Sequence, residues 1–96
     1  MERNESIAIE ILNEIDRARS GSQNLDELES KIWRLLERAD DRFPRILAGR
    51  IEGMVNELRA LRRENLSFSG GHEVDEDRGA DLIYNEVTGA LGRFLG

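Results

Sequence analysis

Apolar residues recur with helical spacing in four separate stretches of this chain. In the longest, Asp41 to Glu64, Phe43, Leu47, Ile51, Met54, Leu58 and Leu61 step by four, four, three, four and three. That spacing is the mark of one buried helical face. Asp41 is placed to cap it, and Pro44 falls in the first turn, where a missing N–H costs little. The pattern predicts a helix over 42–65. Upstream, Ile7, Ile11, Ile15 and Ala18 form a stripe that Ala8 and Leu12 widen, with Asn4 ahead of it as a cap, so 5–19 reads as helix. Ser20-Gly21-Ser22-Gln23 then supplies turn chemistry. Leu25, Leu28, Ile32, Leu35 and Ala39 predict a second helix over 24–39, which Asn24 and Glu27 open in the manner of a capping box. Ile83, Val87, Leu91 and Phe94 predict a last helix over 81–95 with Asp81 as its cap. The expected fold is all-α, a single 1–96 domain built as a bundle of three to four helices around a long third one.

Some positions do not fit a plain bundle. Gly49 and Gly53 sit inside the long third helix, each costing about 1 kcal/mol relative to alanine. Close approach of another backbone, with Ala60 contributing, would repay that cost, and the helix is expected to run through them. Leu66 to Val74 alternates apolar and polar residues about a Gly-Gly centre, which fits either a short hairpin or a loop over 66–75. Trp33 lies at the edge of the second stripe, as core or as an interface anchor. Arg59, Arg62 and Arg63 close the third helix as counter-charges to its dipole, within reach of the acidic segment that follows.

Charge narrows the class of partner. The net charge is −6, and residues 65–96 hold six acids against two bases, so the acidity is concentrated in the C-terminal third. Nucleic acid binding draws its affinity from neutralised phosphates, so no nucleic acid partner is expected and a basic protein is the natural one. No cysteine is present, which excludes disulfides, thiolate metal sites and cysteine nucleophiles. The start MERNESIAIE lacks the pattern of a signal peptide, and no stretch is apolar enough to span a membrane, so the expected location is cytoplasmic.

No strong catalytic motif appears. Asp75, Asp77, Asp81 and Glu86 fall at positions one, three, seven and twelve of a calcium loop, but Ala80 stands where the sharp turn needs glycine. His72 is the single histidine, and neither Ser67 nor Ser69 has a nucleophile elbow around it. Glu10 and Glu14 with Glu37 and Asp40 faintly resemble the carboxylate pairs of all-α nucleotide pyrophosphohydrolases, although the spacing of the first pair departs from E-x-x-E. A carboxylate-metal hydrolase is therefore a minor alternative. The reading adopted has no enzyme activity, no cofactor and no metal.

Asp81-Leu82-Ile83-Tyr84 is similar to the D-L-I-Y segment of the small acidic helical immunity proteins that neutralise nuclease bacteriocins. The resemblance covers four of 96 residues, and Asn85-Glu86 replaces the family's Tyr-Pro. It implies that Asp81 and Tyr84 face a toxin and that the acidic surface covers a basic nuclease domain. The expected function is thus an immunity or antitoxin-like inhibitor, with His72, Glu73, Asp75, Glu76, Asp77, Asp81, Tyr84 and Trp33 as the partner-binding residues. The alternative is a helical adaptor that forms a homodimer through the Gly49 and Gly53 face or through the apolar tail.

Overall fold

A computed structural model describes residues 3–62 and 79–96 in full, and residues 63–67 and 76–78 by their backbone. Four helices follow in chain order: α1 (Arg3–Arg19), α2 (Leu25–Arg38), α3 (Arg45–Ser67) and α4 (Glu76–Leu95). Each packs on the next, and α4 closes back on α1, whereas among the described residues the backbones of the diagonal pairs, α1 with α3 and α2 with α4, do not come within 8 Å of each other. The result is an up-down-up-down ring of helices. Ile11, Ile15, Leu28, Ile32, Ile51, Met54 and Leu91 fill its centre, and full burial of each such side chain contributes about 1.5–3 kcal/mol. All-α architecture is therefore observed as the apolar spacing predicts.

Local chemistry sets the helix ends. After α1, Gly21 takes φ +82°, Ser22 N–H donates to Arg17 O at 2.9 Å and Gly21 N–H to Ala18 O at 3.2 Å. This is a Schellman ending, in which a left-handed glycine satisfies the last carbonyls. Asn24 caps α2 as expected, its Oδ1 accepting the Glu27 N–H at 2.8 Å.

The entrance to α3 differs from expectation. Asp40, not Asp41, organises the turn: its carboxylate accepts the Arg42 N–H at 2.8 Å and its carbonyl accepts the Phe43 N–H at 3.1 Å. α3 starts three residues later than predicted, because Phe43 is drawn out of the helix and into the core, where its ring meets Phe94 at 5.5 Å. Asn4 is not a cap either. It lies inside α1, is 1% exposed, and exchanges two hydrogen bonds with Asp40: Asn4 Nδ2 donates to Oδ1 at 2.7 Å, and Asp40 N–H donates to Asn4 Oδ1 at 3.2 Å.

Three further expectations are corrected. α3 runs on to Ser67, so the proposed hairpin cannot begin at Leu66; its remainder, 68–75, lies outside the described residues. α4 begins at Glu76, not Asp81, which places Asp81 within the helix rather than at its cap. Gly49 and Gly53 do not mediate a helix crossing among the described residues, since a Cβ built on either meets nothing there within 4 Å. The close approach occurs at Gly79 instead, where a Cβ would lie 3.0 Å from Leu61 Cδ2.

Candidate partner-binding surface

The start of α4 carries the acidic residues singled out above. His72, Glu73 and Asp75 lie outside the described residues, whereas Glu76 and Asp77 occupy the first turn of α4. Asp81, Leu82, Asn85 and Glu86 then fall on the solvent side of the same helix, and Leu82 is 69% exposed. Helical backbone through residues 76–86 leaves no loop to wrap a cation, so the calcium-loop register is excluded for Asp77, Asp81 and Glu86. A rigid helix presents these residues at fixed intervals of about 1.5 Å rise each.

Arg19, at the end of α1, ties that helix down. Its guanidinium donates to Asp81 Oδ1 at 3.1 Å and to Asn85 Oδ1 at 3.2 Å, and lies 5.5 Å from the centre of the Tyr84 ring. Tyr84 is only 7% exposed, so its ring belongs to the core under Arg19, whereas the D-L-I-Y resemblance implies a residue that faces a partner. Burial raises its phenol pKa above the ordinary value, and the Arg19 charge pulls the other way. The helical period explains the split within the tetrapeptide: Asp81 and Leu82 point outward, Ile83 is half-buried and Tyr84 faces inward.

Beside this clamp, a groove of roughly 500 Å³ opens among Arg19, Leu58, Leu61, Arg62, Asp81 and Tyr84. Its basic and acidic groups stand over an apolar floor, so it suits a mixed protein surface better than a single small anion. Arg59 donates to Glu29 Oε2 at 3.0 Å and also to Asp26, holding α3 against α2; the acidic segment it was expected to reach lies largely outside the described residues. Two of the acids at the start of α2 thereby share one internal arginine. Trp33 is 49% exposed on α2, hence no core residue. It stands on the helix diagonal to α4, so it does not share a flat footprint with Asp81 and Leu82.

The carboxylates of the minor hydrolase reading are dispersed. Glu14 accepts from Arg17 and Gln23 and pairs with Lys31 at 3.2 Å, while Asp40 is engaged by Asn4. Among the described residues no three His, Asp or Glu side chains converge as a metal site requires. Arg19 is absent from the sequence reading, and Gln23 and Asn4 entered it only as turn and cap residues, without the tertiary hydrogen bonds they make. Asn4 alone had a visible signal, because it falls in register with Ile7 and Ile11 on the buried stripe.

Among the described residues no helix is long and apolar enough to cross a membrane. No family model, no curated protein and no solved structure matches this chain.

Proposed function

We propose that this chain is a non-enzymatic inhibitor of the immunity or antitoxin kind, which occludes a basic toxin domain with the N-terminal half of α4. The observation that carries the reading is the continuous helix from Glu76, which turns an acidic run into a rigid face bearing Asp81, Glu86 and the exposed Leu82. Carboxylates steer a basic partner, and a central apolar side chain supplies the short-range energy. Leu82 takes the anchoring role, because Tyr84 is buried and Trp33 lies on a diagonal helix. Inhibition is by coverage: a nuclease surface engaged by these acids has no room for its phosphate backbone substrate.

The test begins with co-purification from the native host. A basic protein should be recovered whose toxicity or nuclease activity is abolished by one equivalent of this chain. Affinity should fall steeply with salt, and it should drop at least tenfold on combined Asp75→Lys, Glu76→Lys and Asp77→Lys substitution or on Leu82→Glu. Recovery of nothing but the chain itself, or affinity indifferent to these changes at low salt, would sink the proposal.

A further inference from the structure

The outer face formed by α3 and α4 carries features that no contact among the described residues explains. Ile46 is 76% exposed at one end and Leu82 69% exposed at the other. Between them, Gly53 and Gly89 look into open space, with nothing within 4 Å of a Cβ built on either. Glycine is the poorest helix former after proline, so two outward-facing glycines weaken these helices with no return among the described residues. The two helices run antiparallel, with Gly79 against Leu61 at one end and Ile46 and Arg50 sharing a hollow with Ala90, Arg93 and Phe94 at the other. That register brings Gly53 close to level with Gly89, near the middle of the face.

The exposed charges are divided about this middle. Arg50 and Arg93 lie at the Ile46 end, and Glu57 and Glu86 at the Leu82 end, all four exposed. None of the four is in an ion pair with another described residue. A face that is basic at one end, acidic at the other and without side chains at its centre is complementary to itself when turned end for end.

We infer that this face binds a second copy of the chain, through a two-fold axis that lies in the interface and runs across the helices near Gly53 and Gly89. α4 then packs antiparallel on its counterpart, as does α3. Arg93 of each copy meets Glu86 of the other, Arg50 meets Glu57, and the apolar ends stand over the opposite ends of the facing pair. An axis parallel to the helices would instead set acidic end on acidic end, so the charge pattern selects the first arrangement. The glycines let the backbones approach where the axis passes. The face is about 500 Å² per copy, from helices about 10 Å apart over roughly four turns. The resulting total of about 1,000 Å² is at the lower edge of specific interfaces, which makes this a weak, concentration-dependent dimer. The inference stands apart from the inhibitor reading. Where both hold, a toxin and a second copy compete for Leu82 and Glu86.

The chain alone suffices for the test. Sedimentation of the full chain from about 1 μM to about 1 mM should pass from monomer to dimer, with the transition moved to higher concentration by salt. Arg93→Glu and Glu86→Arg should each stay monomeric, yet their equimolar mixture should form a heterodimer, because both cross-pairs then become attractive. The chain has no cysteine, so oxidation of a Gly89→Cys variant should give a disulfide dimer, whereas Leu82→Cys should not, its counterparts lying about 20 Å apart across the axis. A monomer throughout the range, failure of the mixture to associate, or equal crosslinking at the two positions would overturn the inference.

Discussion

Removal of the Asn4 side chain tests whether a half-buried polar pair, rather than the apolar seam alone, fixes where α3 begins. Asn4 is 1% exposed and holds Asp40 by two hydrogen bonds of 2.7 and 3.2 Å, across 36 residues of sequence. In Asn4→Ala both bonds are lost and a small cavity is left. The exposed side of Asp40 lets water take over part of the role. At about 1 kcal/mol per net hydrogen bond, with that partial compensation, the expected loss at pH 7 is about 1–2 kcal/mol. The loss should also depend on pH. The Asn4 amide is the largest of the influences that hold the Asp40 carboxyl below its usual value of 3.8, followed by the Arg42 N–H. A carboxylate with a depressed folded-state pKa stabilises the fold above the unfolded pKa, and that contribution disappears as pH falls through the folded value. The gap between wild type and Asn4→Ala is therefore widest at neutral pH and narrows below about pH 4. Urea unfolding of both proteins at pH 7, 5, 4 and 3 gives the comparison. A gap that stays constant across this range, or one under about 0.5 kcal/mol at pH 7, would refute the reasoning.

Other substitutions probe separate contacts. Gly53→Ala should stabilise the dilute protein by about 0.5–1 kcal/mol, since the helix gains propensity and the new methyl meets nothing; a loss in thermal unfolding would contradict the open space. Gly79→Val should destabilise by about 1–3 kcal/mol, because the Cβ alone would already lie 3.0 Å from Leu61 Cδ2. Arg59→Met should cost no more than about 1 kcal/mol, and less in high salt, as the ion pairs to Asp26 and Glu29 are part-exposed. The phenol of Tyr84, the chain's single tyrosine, should ionise above pH 10 in a spectrophotometric titration, and higher still in Arg19→Gln; an ordinary value would mean that the ring is not buried.

Four helices were legible because each carries a long, regular apolar stripe, and such a stripe survives any detail of packing. What was not legible depended on partners remote in sequence. Asp41 and Asp40 are equally good caps locally. The choice falls to Asp40 because Asn4, 36 residues away, is there to hold it. Gly79 falls before the helix start predicted at 81, yet it lies inside α4, where Leu61 occupies the room its missing side chain leaves. The same error in reverse affected Gly53, where an expected crossing is absent among the described residues. For the candidate site, the acidic character was plain from composition, but its presentation was not: the tetrapeptide Asp81 to Tyr84 looked like one surface motif. Helical periodicity divides it, with Leu82 exposed at 69% and Tyr84 buried at 7%.

That division has a consequence for how affinity is distributed on α4. If Asp81 were both the steering charge and the anchor's neighbour, reversing it would abolish binding outright. Arg19 already holds its carboxylate at 3.1 Å, so a partner's cation must share or displace that arginine. A pair this exposed stabilises by at most about 1 kcal/mol, so displacement costs little. Asp81→Asn should then reduce affinity for a basic partner only a few-fold, less than Leu82→Glu, which puts a charge where an apolar side chain is expected to be buried. Arg19→Gln removes the competitor. It should strengthen binding at low salt while it loosens α4 on α1, so a rise in affinity together with a fall in unfolding midpoint is the expected pair of results. Weaker binding in Arg19→Gln would mean instead that the clamp's geometry matters more to the partner than the free charge.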